Sequence, residues 1–150
     1  MRLRSVRTVA VMVALLAAML LSSVNAEAQS SLRQQVSETI TVVRTAKSPT
    51  ERTMAAMHLC EITHGDASRQ VDDESLLRII ALLNTNNDAV RYWVALCLGN
   101  FGPRAKPAMP KLLEILNHID GANAGKTSAP AICVALKRIG AEVPPSKCEW

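Results

Sequence analysis

Aromatic side chains are almost missing from this chain, which has one Phe, one Tyr and two Trp in 150 residues. A core must therefore be built from Ala, Leu, Ile, Val and Met, a palette that favours helices over the alternating β-branched and aromatic pattern of a sandwich or barrel. Catalytic signatures are also missing. No C-x-x-C, H-E-x-x-H, G-x-S-x-G or phosphate-cradling glycine loop occurs, so the usual metal, nucleophile and nucleotide chemistries have no anchor and an enzyme is not expected. Beyond residue 28 no stretch approaches the roughly 20 apolar residues of a spanning helix. Nor is there a surplus of one charge. Without residues 1–28, which hold Arg2, Arg4, Arg7 and Glu27, 14 basic residues face 12 acidic ones, too even a balance for a nucleic-acid partner.

The first segment has the opposite character. Arg2, Arg4 and Arg7 precede an apolar run from Val9 to Leu21, and small residues follow up to Ala26-Glu27-Ala28. A basic start, a short apolar stretch and an A-x-A site make a secretory signal peptide over 1–28, with cleavage after Ala28 or, nearly as well, after Ala26. The expectation is a periplasmic or secreted protein with no membrane anchor after cleavage. The run is short for an uncleaved anchor.

The whole chain is 49% apolar, enough for a packed core in a chain of single-domain length. Leu32, Val36, Ile40 and Val43 form a helical stripe. Ser48-Pro49-Thr50-Glu51 reads as a capping box opening a helix through Met54, Ala55, His58, Leu59 and Ile62, with Gly65 as its stop. Asp72-Asp73-Glu74 places acid at the positive end of the next helix, which carries Leu76, Leu77, Ile79, Ile80 and Leu83. Asn84 to Asn87 breaks the pattern, and Asn87 caps a helix with an inner stripe of Val90, Val94, Leu98 and Phe101. Gly102-Pro103 should stop it firmly, with Arg104 and Lys106 on a solvated turn. A third pair runs from Met109 to His118 and from Ser128 to Ile139, and the tail 141–150 with Pro144-Pro145 has no periodicity.

Leu82-Leu83-Asn84 through Val90-Arg91, then Leu98-Gly99-Asn100-Phe101-Gly102 and Ala105-Lys106-Pro107-Ala108-Met109-Pro110-Lys111-Leu112-Leu113, resembles a HEAT repeat running into its successor. Leu98 and Phe101 align with Leu136 and Ile139, while Arg91 and Leu98 align with Arg52 and Leu59. Periods near 40 residues suit this architecture. The resemblance implies an all-α fold, a short alpha-alpha solenoid of about three HEAT-like hairpins over 29–140, with repeats near 32–65, 72–103 and 107–140. Thr85 stands where the family usually has Asp, and Ala129 where Arg91 would recur, so the family's Arg–Asp ladder is not implied.

Four cysteines in an exported chain point to two disulfides, with three possible pairings. On the repeat alignment, Cys60 and Cys133 face forward and Cys97 faces back at about 100° per residue. That alignment implies Cys60–Cys97 and Cys133–Cys148, with Cys97 as a buried thiol the alternative. His58 and His64 lie six apart on one helix and cannot share an ion, so no metal and no cofactor are expected. Binding is the remaining function. In HEAT-like stacks the second helices line one surface, which here offers Arg52, Glu61, Arg91, Tyr92, Trp93, Asn100, Lys137 and Arg138; Trp93 could instead pack on a neighbouring helix. The expected role is an adaptor or inhibitor acting on an envelope protein. An accessory structural subunit and a metal or ligand carrier are the alternatives.

Overall fold

The computed structural model describes residues 26–119, 127–143 and Cys148. Residues 1–25, 120–126, 144–147 and 149–150 lie outside the described residues, and with them most of the expected signal peptide and tail. The chain divides into two units, 1–31 and 32–150. Of the first, residues 26–31 are helical.

The described residues of the second unit are mostly helical, and none of them is in a strand. Helix α1 covers residues 32–45, and α2 is Pro49–Ile62. A single turn, α3 (Ala67–Gln70), precedes α4 (Asp73–Ala81), which tightens into a 3-10 turn at Leu82–Asn84. Helix α5 is Asp88–Asn100; a 3-10 run, Gly102–Ala108, leads into α6 (Met109–His118), and α7 (Ala129–Ile139) closes the order. The fold is a short α-solenoid.

Local chemistry sets the helix ends. Ser48 accepts the Glu51 amide at 3.4 Å, Asp72 accepts that of Ser75 at 2.7 Å, and Asn87 accepts those of Ala89 and Val90. Each satisfies an amide with no partner inside its own helix. Gly140 ends α7 at φ +90, a left-handed conformation in which a Cβ would be strained.

The Asp72 cap carries a pH signature. Its carboxyl is held below the usual range by the Ser75 amide first, and also by Arg33, whose Nε lies 2.8 Å away. A carboxylate with a lowered native pKa stabilises the fold above its unfolded value, and that contribution is lost as pH falls through the native value. Asp72→Ala is therefore expected to cost about 1 kcal/mol at pH 7. Urea titrations of wild type and variant should converge below the ordinary carboxylate range; a gap of constant size down to the lowest pH would show that the charge contributes nothing.

The second helices α2, α5 and α7 lie side by side and parallel. At their starts, Asn87 Nδ2 donates to the Pro49 carbonyl at 3.5 Å, and Ser128 Oγ donates to Asp88 Oδ1 at 2.8 Å. At their ends, Asn100 reaches Cys60 and Gly99 lies against Ala135. The first helices form the other layer: Arg78 of α4 donates to Ser37 Oγ on α1 at 3.1 Å. Between the layers runs one core, including Val36, Ile40, Leu59, Ile79, Leu83, Val90, Val94, Leu98, Leu112, Ile132, Leu136 and Ile139, none more than 1% exposed.

Gly102-Pro103 ends α5 at Asn100, as expected, but the helical path does not stop there. The chain continues as a 3-10 run in which Ala105 and Ala108 are fully buried. Arg104 on that run is exposed, as expected of a turn residue, but it is also bonded: it donates to the carbonyls of Ser68 and Val71, both at 2.8 Å, and pairs with Asp73 at 2.6 Å. It thus satisfies carbonyls between α3 and α4 that their own helices leave open.

Candidate functional site on the second helices

Six of the eight expected surface residues fall into two groups at opposite ends of the parallel second helices, with Tyr92 and Trp93 between them. Arg52 and Arg91 stand near the starts of α2 and α5, beside the Asn84–Thr85 turn. Glu61, Asn100, Lys137 and Arg138 stand at the ends of α2, α5 and α7.

At the first end, Arg91 is occupied. Its Nε donates to the Thr85 carbonyl at 2.9 Å, its Nη1 pairs with Asp88 at 3.1 Å, and its side chain is only 24% exposed. A backbone carbonyl and a same-helix carboxylate thus replace the aspartate missing from position 85. Arg52 differs. Its Nε is buried with no hydrogen-bond partner among the described residues. With the exposed Arg44, it lines an open groove of about 650 Å³ against Asn84, Thr85 and Asn86.

Tyr92 and Trp93 lie midway along α5 and pack edge to face, ring centroids 5.5 Å apart and planes at 84°. Such a pair is a favourable quadrupole arrangement. Both rings are half-buried against the core, so each contributes packing and exposed edge together.

The other end forms a row in register. The alignment that matches Leu59, Leu98 and Leu136 also matches Glu61, Asn100 and Arg138, one residue from each second helix. Arg138 lays its stem over Gly99: a Cβ there would meet Arg138 Cδ at 3.3 Å and Ala135 Cα at 3.4 Å. Asn100 Nδ2 donates to the Cys60 carbonyl at 3.4 Å, while Glu61 pairs with His58 at 3.5 Å. Lys137 is exposed beside them.

Sequence reading missed an apolar row on the same face. Met57, Leu96 and Val134 are in register, as are Met54 and Trp93. Met54 is 59% exposed and Val134 40%, while Met57 and Leu96 are half-buried. The signal was available in the repeat alignment. It was hidden because α2 carries apolar residues on two faces, with Ala56 and Leu59 inward and Met54 and Met57 outward.

The cysteines depart from the expected scheme. Cys133 and Cys148 are bonded, with Cα atoms 5.8 Å apart. Cys60 and Cys97 are not: both are free thiols, Cys60 half-buried and Cys97 fully buried. The packing of α2 on α5 does place the two cysteines across from one another, each with a polar partner from the other's segment: Thr63 Oγ1 lies 3.2 Å from Cys97 Sγ and Asn100 Nδ2 3.5 Å from Cys60 Sγ. Among the described residues, no three His, Cys, Asp or Glu side chains converge to hold a metal ion. No helix of those residues is long and apolar enough to cross a membrane.

Comparison with known families bears on this arrangement. Residues 90–118, from the buried start of α5 to the end of α6, match the family described as PBS lyase HEAT-like repeat. The chain carries a HEAT-like repeat. The matched HEAT-like segment includes the inner stripe of α5, the 3-10 run and all of α6, and so the joint between two successive hairpins. Such a repeat marks a helical module of the kind that mediates protein interactions. No curated protein and no solved structure matches the chain.

Proposed function

We propose that this protein is an exported interaction module, an adaptor or inhibitor of an envelope protein, which binds a protein partner without catalysing a reaction. The observation that carries the reading is the face of the second helices. There the apolar row of Met57, Leu96 and Val134 lies beside the polar row of Glu61, Asn100 and Arg138. An apolar strip with a polar flank is the anatomy of a protein interface, and half-buried aromatics such as Tyr92 and Trp93 suit the anchoring positions. Export rests on the basic, apolar and A-x-A pattern of residues 1–28.

The end helix supports a free-standing module over a permanent subunit. Helix α1 shows solvent Arg33, Gln34, Gln35, Glu38, Thr41 and Arg44, with Val42 its single large apolar side chain exposed. One observation favours the accessory-subunit reading. Leu76, Leu77, Ile80 and Pro107 line a groove of about 370 Å³ on the first-helix side, where Leu77 is 56% exposed.

A single experiment separates the two. Mature protein serves as bait on native envelope extract, beside the double variant Met54→Asp/Val134→Asp and the single variant Leu77→Asp. All three positions are exposed, so folding should survive. The expected result is one stoichiometric partner whose affinity falls by about 30-fold or more in the double variant, the effect of losing a hot spot of 2 kcal/mol. That partner should be retained by Leu77→Asp. The reverse pattern would establish docking through the first-helix groove instead, and no partner from folded bait would sink both readings.

A further inference from the structure

We propose that Cys60 and Cys97 are a redox-active dithiol: Cys60 attacks low-molecular-weight disulfides, and Cys97 resolves the mixed disulfide to leave an inter-repeat Cys60–Cys97 bond. The reading stands on how α2 and α5 meet, and it does not depend on any protein partner.

The contact is reciprocal. Thr63, three residues after Cys60, places its hydroxyl 3.2 Å from Cys97 Sγ. Asn100, three residues after Cys97, donates from Nδ2 to Cys60 Sγ at 3.5 Å. Each cysteine thus meets the residue one helical turn beyond the other, which sets the two sulfurs face to face. Their surroundings differ. Cys60 is half-buried and reachable by a small reagent, whereas Cys97 is completely enclosed. An accessible thiol backed by an enclosed one is the division of labour that attack and resolution require.

Electrostatics divide the pair in the same sense. The Cys97 S–H, donating to the Cys60 sulfur, holds the Cys60 thiol below its usual range; burial opposes this, and Asn100 adds to the lowering. That same hydrogen bond, with burial, pushes the Cys97 thiol well up. The thiolate is the nucleophile, so Cys60 reacts first.

The steps balance. Cys60 gives up its proton to solvent, and its thiolate attacks one sulfur of a disulfide R–S–S–R, forming Cys60–S–S–R and releasing RS⁻. The Cys60 thiolate that kept the Cys97 proton in place no longer exists. Cys97 then loses its proton, with the Thr63 hydroxyl able to turn from the Leu59 carbonyl, 2.7 Å away, toward the new thiolate. Attack on Cys60 Sγ forms the Cys60–Cys97 bond and expels the second RS⁻. Two protein thiols are oxidised, one external disulfide is reduced to two thiols, and the two protons end on the released RS⁻ groups.

The probe is glutathione disulfide, applied to full-length chain with Cys133–Cys148 intact and read by intact mass and peptide mapping. Wild type should lose two thiols, retain no glutathione and yield a Cys60–Cys97 cross-linked peptide. Cys97→Ser should retain one glutathione on Cys60. Cys60→Ser should react at least roughly tenfold more slowly, since only the enclosed high-pKa thiol remains. If Cys97→Ser is poorly folded by circular dichroism, Cys97→Ala replaces it, and the wild-type cross-link remains decisive alone. Adduct retained on wild type, equal rates in Cys60→Ser and Cys97→Ser, or no thiol loss would each overturn the proposal.

Discussion

Replacing both Cys133 and Cys148 with serine is expected to lower the unfolding free energy by about 3 kcal/mol. The bond closes a segment of 15 residues, and on the chain-entropy model a loop of that size restricts the unfolded chain by roughly that amount. Its effect on the folded side has a definite place. Cys133 lies on α7, the last helix, and the bond returns Cys148 to pack against the core with Ala141 and Val143. Without it, those packed tail residues lose their tether. Urea melts of wild type and the double variant, without reductant and at mildly acidic pH to suppress exchange with Cys60 and Cys97, provide the measurement. A difference under about 1 kcal/mol would mean that the segment is ordered by packing alone, and that the bond adds little beyond it.

Gly99→Leu is expected to cost about 3 kcal/mol, the upper end of the ordinary range for overpacking. Even a Cβ at this position would stand 3.4 Å from Ala135 Cα and 3.3 Å from Arg138 Cδ. The arginine stem can swing aside, but the α7 backbone cannot move without opening the contact over Ala131, Ile132 and Ala135, all at most 1% exposed. Alanine is the informative control. It brings the same close approach but gains about 1 kcal/mol of helix propensity over glycine, so Gly99→Ala should stay within about 1 kcal/mol of wild type. If leucine is tolerated as well as alanine, the close approach of α5 and α7 does not depend on the glycine. The leucine variant should also displace Arg138 from the row it shares with Glu61 and Asn100, coupling packing to the proposed surface.

Much of the fold was legible because the determining interactions are local. The stripes Leu32–Val43, Leu76–Leu83 and Val90–Phe101 each repeat at three or four residues, and the caps Ser48, Asp72 and Asn87 act within three residues of themselves. What stayed hidden was short or distant. Helix α3 has four residues, too few for any periodicity to show. The 3-10 run Gly102–Ala108 opens on Gly102-Pro103, which read only as a stop, although Pro at the start of a helical segment is compatible with one. Arg104 could not be assigned, because its partners Ser68, Val71 and Asp73 lie more than thirty residues away. Thr39, a polar residue between the stripe positions of α1, is buried at 9% exposure and donates its hydroxyl to the Gln35 carbonyl at 2.7 Å.

The candidate site divides in the same way. Which residues stand on the outer face of the second helices follows from helical period and repeat register alone, so Glu61, Asn100, Lys137 and Arg138 could be named in advance. Which of them are free to bind does not follow. Arg91 is consumed by the Thr85 carbonyl and Asp88, Asn100 by Cys60, while Arg52 keeps an unpartnered Nε among the described residues. The sequence by itself determined helix positions, inward stripes and repeat register, because each depends on neighbours within a turn or on a recurring period. Only the tertiary structure decided that Cys60 and Cys97 meet as thiols, that Arg104 joins two helices, and that Met54 and Val134 stay exposed on the row their register gives them. Those outcomes depend on how closely and at what height one hairpin packs on the next, a distance set by small residues such as Gly99 and Ala135 acting together across the interface.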